Sequence, residues 1–171
     1  MNETSGKAGD SAEFVISHAF EAPRELVYRA WTEAERLAQW WGPGGFTLDV
    51  LELDVRPGGI FHYGMRSPHG LEMWGKSTYR EIAPPERIVS LLCFADRQGN
   101  PVRHPMSATW PLETLNTMTL VETDGKTMLT LRSTPHDANE LETNTFREGH
   151  ASMVQGFGCT FEQLAAYLAR A

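Results

Sequence analysis

Asp124-Gly125 stands between two runs of strand-forming residues, 115–123 and 126–133. An Asp-Gly pair supplies the positive φ that a two-residue hairpin turn demands. Thr123 then faces Lys126, and counting outward sets Leu120 against Leu129 and Met118 against Leu131. Side chains alternate along a strand, so these four share one face. Thr117, Thr119, Thr130 and Arg132 share the other. One apolar face and one mixed face predict an antiparallel sheet covered on a single side.

The segments around this hairpin supply the rest of the sheet and its cover. Residues 14–20 are rich in strand formers and predict a first strand. Pro23 is placed at a first helical position, followed by Leu26, Val27, Ala30 and Trp31 at helical spacing. Thr32 and Glu35 have capping-box spacing and open a second short helix that carries Leu37, Trp40 and Trp41. Gly42-Pro43-Gly44-Gly45 ends it. Residues 46–55, 60–66, 71–82 and 87–94 then read as strands, separated by Pro/Gly turns at 56–59, 67–70 and 83–86. On the strand at 60–66, Phe61, Tyr63 and Met65 form the more apolar, interior face.

After Pro135 the period changes. Asp137 and Glu140 have capping-box spacing, and Phe146, His150, Met153, Phe157, Phe161, Leu164 and Leu168 make a helical apolar stripe. The helix is about 30 residues long, with breaks expected at Gly149 or at Gly156 and Gly158. Close packing on the sheet is the first reading of those last two glycines; a kink or room for a ligand is the second. The expected architecture is therefore α+β. A curved antiparallel sheet of about six to seven strands wraps a long C-terminal helix, with two short helices after strand one closing an end. This is a helix-grip arrangement, and a cavity is expected between sheet and helix.

The 171 residues suit one domain, expected over 13–171 behind a disordered Gly/Ser-rich tail at 1–12. The net charge of −7 argues against a nucleic-acid partner, because phosphate binding wants an excess of Lys and Arg. No run approaches the ~20 apolar residues of a membrane span, and Met1-Asn2-Glu3-Thr4 opens no signal-peptide core, so a cytoplasmic location is expected. Cys93 and Cys159 have no zinc or redox spacing and apolar neighbours, and both are read as buried free thiols.

Several segments, taken in order, resemble one known family. They are Phe20-Glu21-Ala22-Pro23-Arg24-Glu25-Leu26-Val27-Tyr28-Arg29-Ala30-Trp31, then Trp40-Trp41-Gly42-Pro43 and Leu53-Asp54-Val55-Arg56-Pro57-Gly58-Gly59. Glu81-Ile82-Ala83-Pro84-Pro85-Glu86-Arg87-Ile88 follows, and Gly156-Phe157-Gly158 ahead of Leu164 and Tyr167-Leu168 completes the set. The chain resembles the SRPBCC (START/Bet v 1-like) superfamily, and within it the family related to the C-terminal domain of the Hsp90 ATPase activator Aha1. The resemblance implies the helix-grip fold and a cavity for a small hydrophobic molecule. It implies function poorly, since the superfamily holds lipid carriers, hormone receptors, polyketide cyclases and ring-hydroxylase subunits. The eukaryotic activator has a second domain, which ranks a co-chaperone role below ligand binding here. Residues 96–113 depart from the short turn expected in the family and are the candidate lid or cavity rim.

The candidate ligand-lining residues are Trp40, Trp41, Phe61, Tyr63, Trp74, Met118, Leu120, Leu129, Leu131, His150, Met153 and Phe157. Each alone reads as core; as a set they offer a large polarizable lining for a lipid-like or aromatic molecule. The six histidines have no metal-site spacing, no Walker or Gly-x-Gly-x-x-Gly loop is present, and no Gly-x-Ser-x-Gly elbow is present. No metal and no cofactor are expected. His150 is the weak catalytic candidate, since an imidazole facing a cavity serves as acid or base near neutral pH. Ligand binding is the first reading. A cofactor-independent cyclase or dehydratase is the second, and a protein-interaction module of co-chaperone type the third.

Overall fold

The computed structural model describes residues 12–42 and 45–171. Of the tail expected over 1–12, only Ala12 lies among them, and it is buried. The rest of that expectation falls outside the described residues.

Strand β1 (Phe14–Phe20) leads into helices α1 (Arg24–Thr32) and α2 (Ala34–Trp40). Strands β2 (Thr47–Leu53), β3 (Ile60–Arg66), β4 (Glu72–Ala83), β5 (Arg87–Ala95), β6 (Pro101–Val102), β7 (Glu113–Thr123) and β8 (Lys126–His136) follow. Helices α3 (Glu140–Glu148) and α4 (His150–Arg170) close the chain. The eight strands form one antiparallel sheet in the order β1-β8-β7-β5-β4-β3-β2, with the short β6 on β5 beyond the end of β7. This is the α+β helix-grip fold.

The β7–β8 register is the one the Asp-Gly turn dictates: Thr123 pairs with Lys126, Leu120 with Leu129 and Met118 with Leu131. Strand β8 continues to His136, through Pro135, past the 126–133 expected. Strand β1 ends opposite Ser133. Beyond that residue β8 is an edge, where a proline is tolerated.

Both expected capping boxes are displaced. Helix α1 runs to Thr32, whose hydroxyl donates back to the Tyr28 carbonyl rather than capping α2. Glu33 holds the capping position in extended backbone without a side-chain cap bond, and its carboxylate takes Arg36 and Arg29 instead. Pro23 is likewise the residue ahead of α1, not its first helical one, and its carbonyl accepts from Leu26 and Val27. At the other junction the box is Asn139–Glu142, not Asp137–Glu140. Asn139 accepts from the Glu142 N–H, and the Glu142 carboxylate accepts from the Asn139 N–H.

The core is concentrated at one end of the sheet. Phe20, Leu120, Leu129, Phe161 and Leu164 are all but inaccessible, together with Val27 and Leu37 of the short helices. Gln163 Nε2 donates to the carbonyls of Trp40 and Gly42, and Arg36 donates to the Tyr167 hydroxyl. The C-terminal half of α4 is thereby fixed to α2 as well as to the sheet. Helix and helix are separated at Gly149, one of the expected breaks. Gly156 and Gly158 lie inside α4, and a Cβ at either would meet nothing within 4 Å. Close packing on the sheet is therefore not why they are glycines. Cys93 is buried as expected, but Cys159 is exposed, because it lies on the solvent side of α4.

The turn between β2 and β3 docks its backbone onto β4. The Gly58 N–H donates to the Tyr79 carbonyl, and the Tyr79 N–H donates to the Gly59 carbonyl. A Cβ on Gly59 would stand 2.0 Å from the Asp54 carbonyl oxygen, whereas one on Gly58 would meet nothing but carry a φ of 88°. Gly58→Ala should therefore cost about 1–2 kcal/mol, the left-handed penalty alone. Gly59→Ala should cost on the order of 4 kcal/mol or more, since backbone must move. Urea unfolding of the two variants checks the difference.

Candidate functional site

Strand register sets the inner face of the sheet residue by residue. Ile88 pairs with Met118, Met118 with Leu131 and Leu131 with Ile16, giving an apolar row. Two residues along each strand lies a different row. Tyr79 pairs with Ser90, Ser90 with Asn116, Asn116 with Ser133, and Ser133 with Phe14. Four adjacent strands thus place polar side chains side by side on the inner face of the sheet. Ser77, paired with Leu92, adds another.

Helix α4 covers only the β1 end of this row, where His150 and Phe157 pack on Phe14. Its buried residues are Phe161, Leu164, Tyr167 and Leu168, and none of residues 150–160 is buried. Between the sheet on one side and the short helices with Phe157 of α4 on the other lies a space of about 60 Å³. On the sheet side it is lined by Phe61, Ser77, Tyr79, Ser90 and Asn116, flanked by Ile88, Leu92, Met118 and Leu131. On the helix side it is lined by Trp31, Leu37, Trp41 and Phe157.

Two polar atoms at this space are buried and have no hydrogen-bond partner: Trp31 Nε1 and Asn116 Oδ1. A buried orphan donor or acceptor carries its full desolvation cost, so each marks a place where water or a ligand belongs. Among the described residues of the lining Tyr79 is the one titratable side chain. Burial pushes its phenol well above the ordinary value, so it stands as a neutral hydroxyl at physiological pH.

The indoles of Trp31, Trp40 and Trp41 meet edge to face, with ring centroids 4.9–5.5 Å apart. Trp41 reaches on to Phe61 and Tyr63. Trp40 Nε1 donates to the Ala30 carbonyl, so that indole is spent on joining the short helices, while Trp31 keeps its N–H free for the interior.

The sequence-derived lining residues divide accordingly. Trp41, Phe61, Met118, Leu131 and Phe157 come together around the space. Trp40, Leu120 and Leu129 are packed in the core beyond it. Tyr63 lies inside, its hydroxyl over the backbone of Gly75, and Trp74 lies over Gly64 on the opposite face of the sheet. His150 sits edge-on between Phe14 and Phe146, with Nε2 buried and unpartnered, away from the lining. Met153 belongs to an outer groove of about 460 Å³ beside His104, Trp110 and Glu148. Trp31, Ser90 and Asn116 were not legible as lining from single-strand patterns. Yet parity with Met118 and Leu120 already puts Asn116 on the apolar face.

The 96–113 segment is a strap across one end of the molecule. Its first turn is tied by Asp96, whose carboxylate accepts from the N–H groups of Gln98 and Asn100. Arg103 donates to the Glu142 carboxylate and to the Trp110 carbonyl. Thr109 and Thr145 hydroxyls are 2.8 Å apart, and the Trp110 ring lies on Phe146 and against Gly149. A Cβ on Gly149 would come within 2.9 Å of that ring. The strap is therefore fastened to α3 and to the α3–α4 break, at the open end of α4.

Among the described residues no three His, Cys, Asp or Glu side chains converge as metal ligands. No described helix is long and apolar enough to cross a membrane.

The model of one protein family, activator of Hsp90 ATPase homolog 1-like protein, matches residues 21–169. No curated protein matches the chain. Among solved structures, a protein from Arthrobacter aurescens is 25% identical, with a TM-score of 0.79 over 95% of this chain and 88% of that one. A protein from Mycobacterium smegmatis is 24% identical, with a TM-score of 0.77 over 95% and 94%. The AHSA1 protein from Silicibacter pomeroyi is 18% identical, with a TM-score of 0.68 over 92% and 97%. These likenesses share the fold. The chain belongs to the activator of Hsp90 ATPase homolog 1-like family, within the SRPBCC superfamily.

The Glu142 carboxyl is held below its ordinary value by the Asn139 N–H and then by Arg103. A depressed carboxyl stabilises at pH above its unfolded value and loses that contribution as pH falls through the lowered folded one. The strap should therefore loosen in acid, seen as a change in Trp110 fluorescence below the ordinary carboxyl range. Glu142→Gln should loosen it at neutral pH and abolish the acid transition.

Proposed function

We propose that this member of the Hsp90-activator-like family binds a small, largely apolar molecule between the inner face of its sheet and the first half of α4. The observation that carries the reading is the space itself. The sheet continues under residues 150–160 of α4, but that half-helix meets it chiefly at Phe14, through His150 and Phe157, and none of its residues is fully buried. Filling it with protein would have required larger residues at Ser77, Ser90 or Asn116. Burial of ligand area against Trp31, Trp41, Phe61 and Phe157 would supply most of the affinity, and the polar row would set orientation.

The space is smaller than the engineered cavities of about 150 Å³ that hold benzene. Entry of a ring therefore needs an outward movement, and Phe157 on the half-free part of α4 is the side chain placed to make it. The strap at 101–113 would govern that freedom, because it holds the junction from which this half of the helix starts.

Binding is favoured over turnover because the lining brings one titratable group to the space, Tyr79, where acid–base chemistry needs two that face each other. It is favoured over a protein-docking role because the aromatic groups in question face inward.

Ser90→Leu places a branched apolar side chain in the space. A panel of small aromatic and alicyclic compounds should include some that raise the unfolding temperature of the wild type. At a hundredfold excess over Kd the rise is roughly 5–10 °C for a chain of this size. The same compounds should leave Ser90→Leu unmoved, while the variant alone unfolds at or above the wild-type temperature. Equal ligand shifts in both proteins would place binding elsewhere.

A further inference from the structure

The polar atoms at the space restrict the ligand's chemistry beyond the word apolar. Of the thirteen described residues that line it, none is Lys, Arg, His, Asp or Glu. A carboxylate, phosphate or ammonium placed there would lose its hydration with no counter-charge to replace it. Trp31 Nε1 can only donate, and it is buried without an acceptor. Asn116 presents a buried amide oxygen without a donor. The oxygen and nitrogen of an amide are placed by their surroundings, so the group that answers Asn116 must serve either orientation. A hydroxyl does so, because it donates one hydrogen bond and accepts others.

We propose that the ligand is an uncharged, hydroxyl-bearing ring compound of the phenol or alicyclic alcohol class, whose hydroxyl is read by Trp31 and Asn116. This rests on the binding reading above. In the free protein the space has room for a few waters at about 10–15 Å³ each. A ligand that displaces this water without replacing its hydrogen bonds loses affinity; one that carries a hydroxyl recovers it. Tyr79 and Ser90, in the same row as Asn116, offer the remaining partners.

Three probes of one shape separate the possibilities: p-cresol, toluene and p-toluate. Binding to the full chain at neutral pH is followed by NMR of the indole N–H resonances, with Trp31 identified by Trp31→Phe. p-Cresol is expected to bind at least about tenfold more tightly than toluene and to shift the Trp31 resonance downfield. p-Toluate is expected to bind more weakly than either. Asn116→Leu should invert the preference for p-cresol over toluene, and Asn116→Ser, which keeps a polar atom, should retain it. Equal affinity for p-cresol and toluene, or tighter binding of p-toluate, overturns this inference and leaves the binding reading standing. Binding of none of the three overturns both.

Discussion

Helix α4 is gripped chiefly by its second half, its first half touching the sheet mainly at Phe14 through His150 and Phe157, and the rest of the architecture follows from that. Phe161, Leu164 and Leu168 are buried against the apolar end of the sheet with Phe20, Leu120 and Leu129, and Gln163 and Tyr167 tie the same turns to α2. At the other end the sheet turns polar, with Tyr79, Ser90, Asn116 and Ser133 in one line of register. An apolar helix face set down on that row would strand its hydrogen-bonding groups, a cost larger than the burial of one side chain returns. The half-helix stands off, and the space beneath it is the consequence.

Standing off leaves the first half of α4 with few ties of its own. The strap, anchored on β5 through β6, supplies them. Arg103 and Thr109 reach α3, and Trp110 packs where α3 gives way to α4, on a glycine whose lack of a side chain makes room for the ring. A segment fixed by the short β6–β5 pairing, one ion pair, one hydroxyl pair and a few aromatic contacts is less stable than the core it adjoins. The proposed ligand path therefore runs through the part of the molecule with least to lose on opening.

Much of this was legible in the sequence, and the failures have local causes. Asp124-Gly125 gave the β7–β8 register without error because a two-residue turn leaves no freedom in the pairing. The stripe Phe146, Phe161, Leu164, Leu168 placed the last helices correctly. Capping residues were displaced by one or two positions, since Thr32 and Asp137 stand close enough to helix starts to qualify by type, and only the end of the preceding element decides. The polar row was harder. Asn116 could be assigned to the inner face from its parity with Met118, but Ser90 and Tyr79 join it only through registers set by a bulge between Tyr79 and Glu81. His150 and Met153 share a helical stripe with Phe157, yet His150 packs between Phe14 and Phe146 and Met153 turns to the outer groove, which a stripe in sequence does not reveal.

The central claim is that the space under α4 is a binding site for one small molecule. Native mass spectrometry of the intact chain, incubated with an extract of small apolar metabolites, tests it most directly. The account predicts a one-to-one adduct of low mass on the wild type that is absent from Ser90→Leu under the same conditions. A wild type that flies only at its polypeptide mass, or an adduct carried equally by Ser90→Leu, would contradict it.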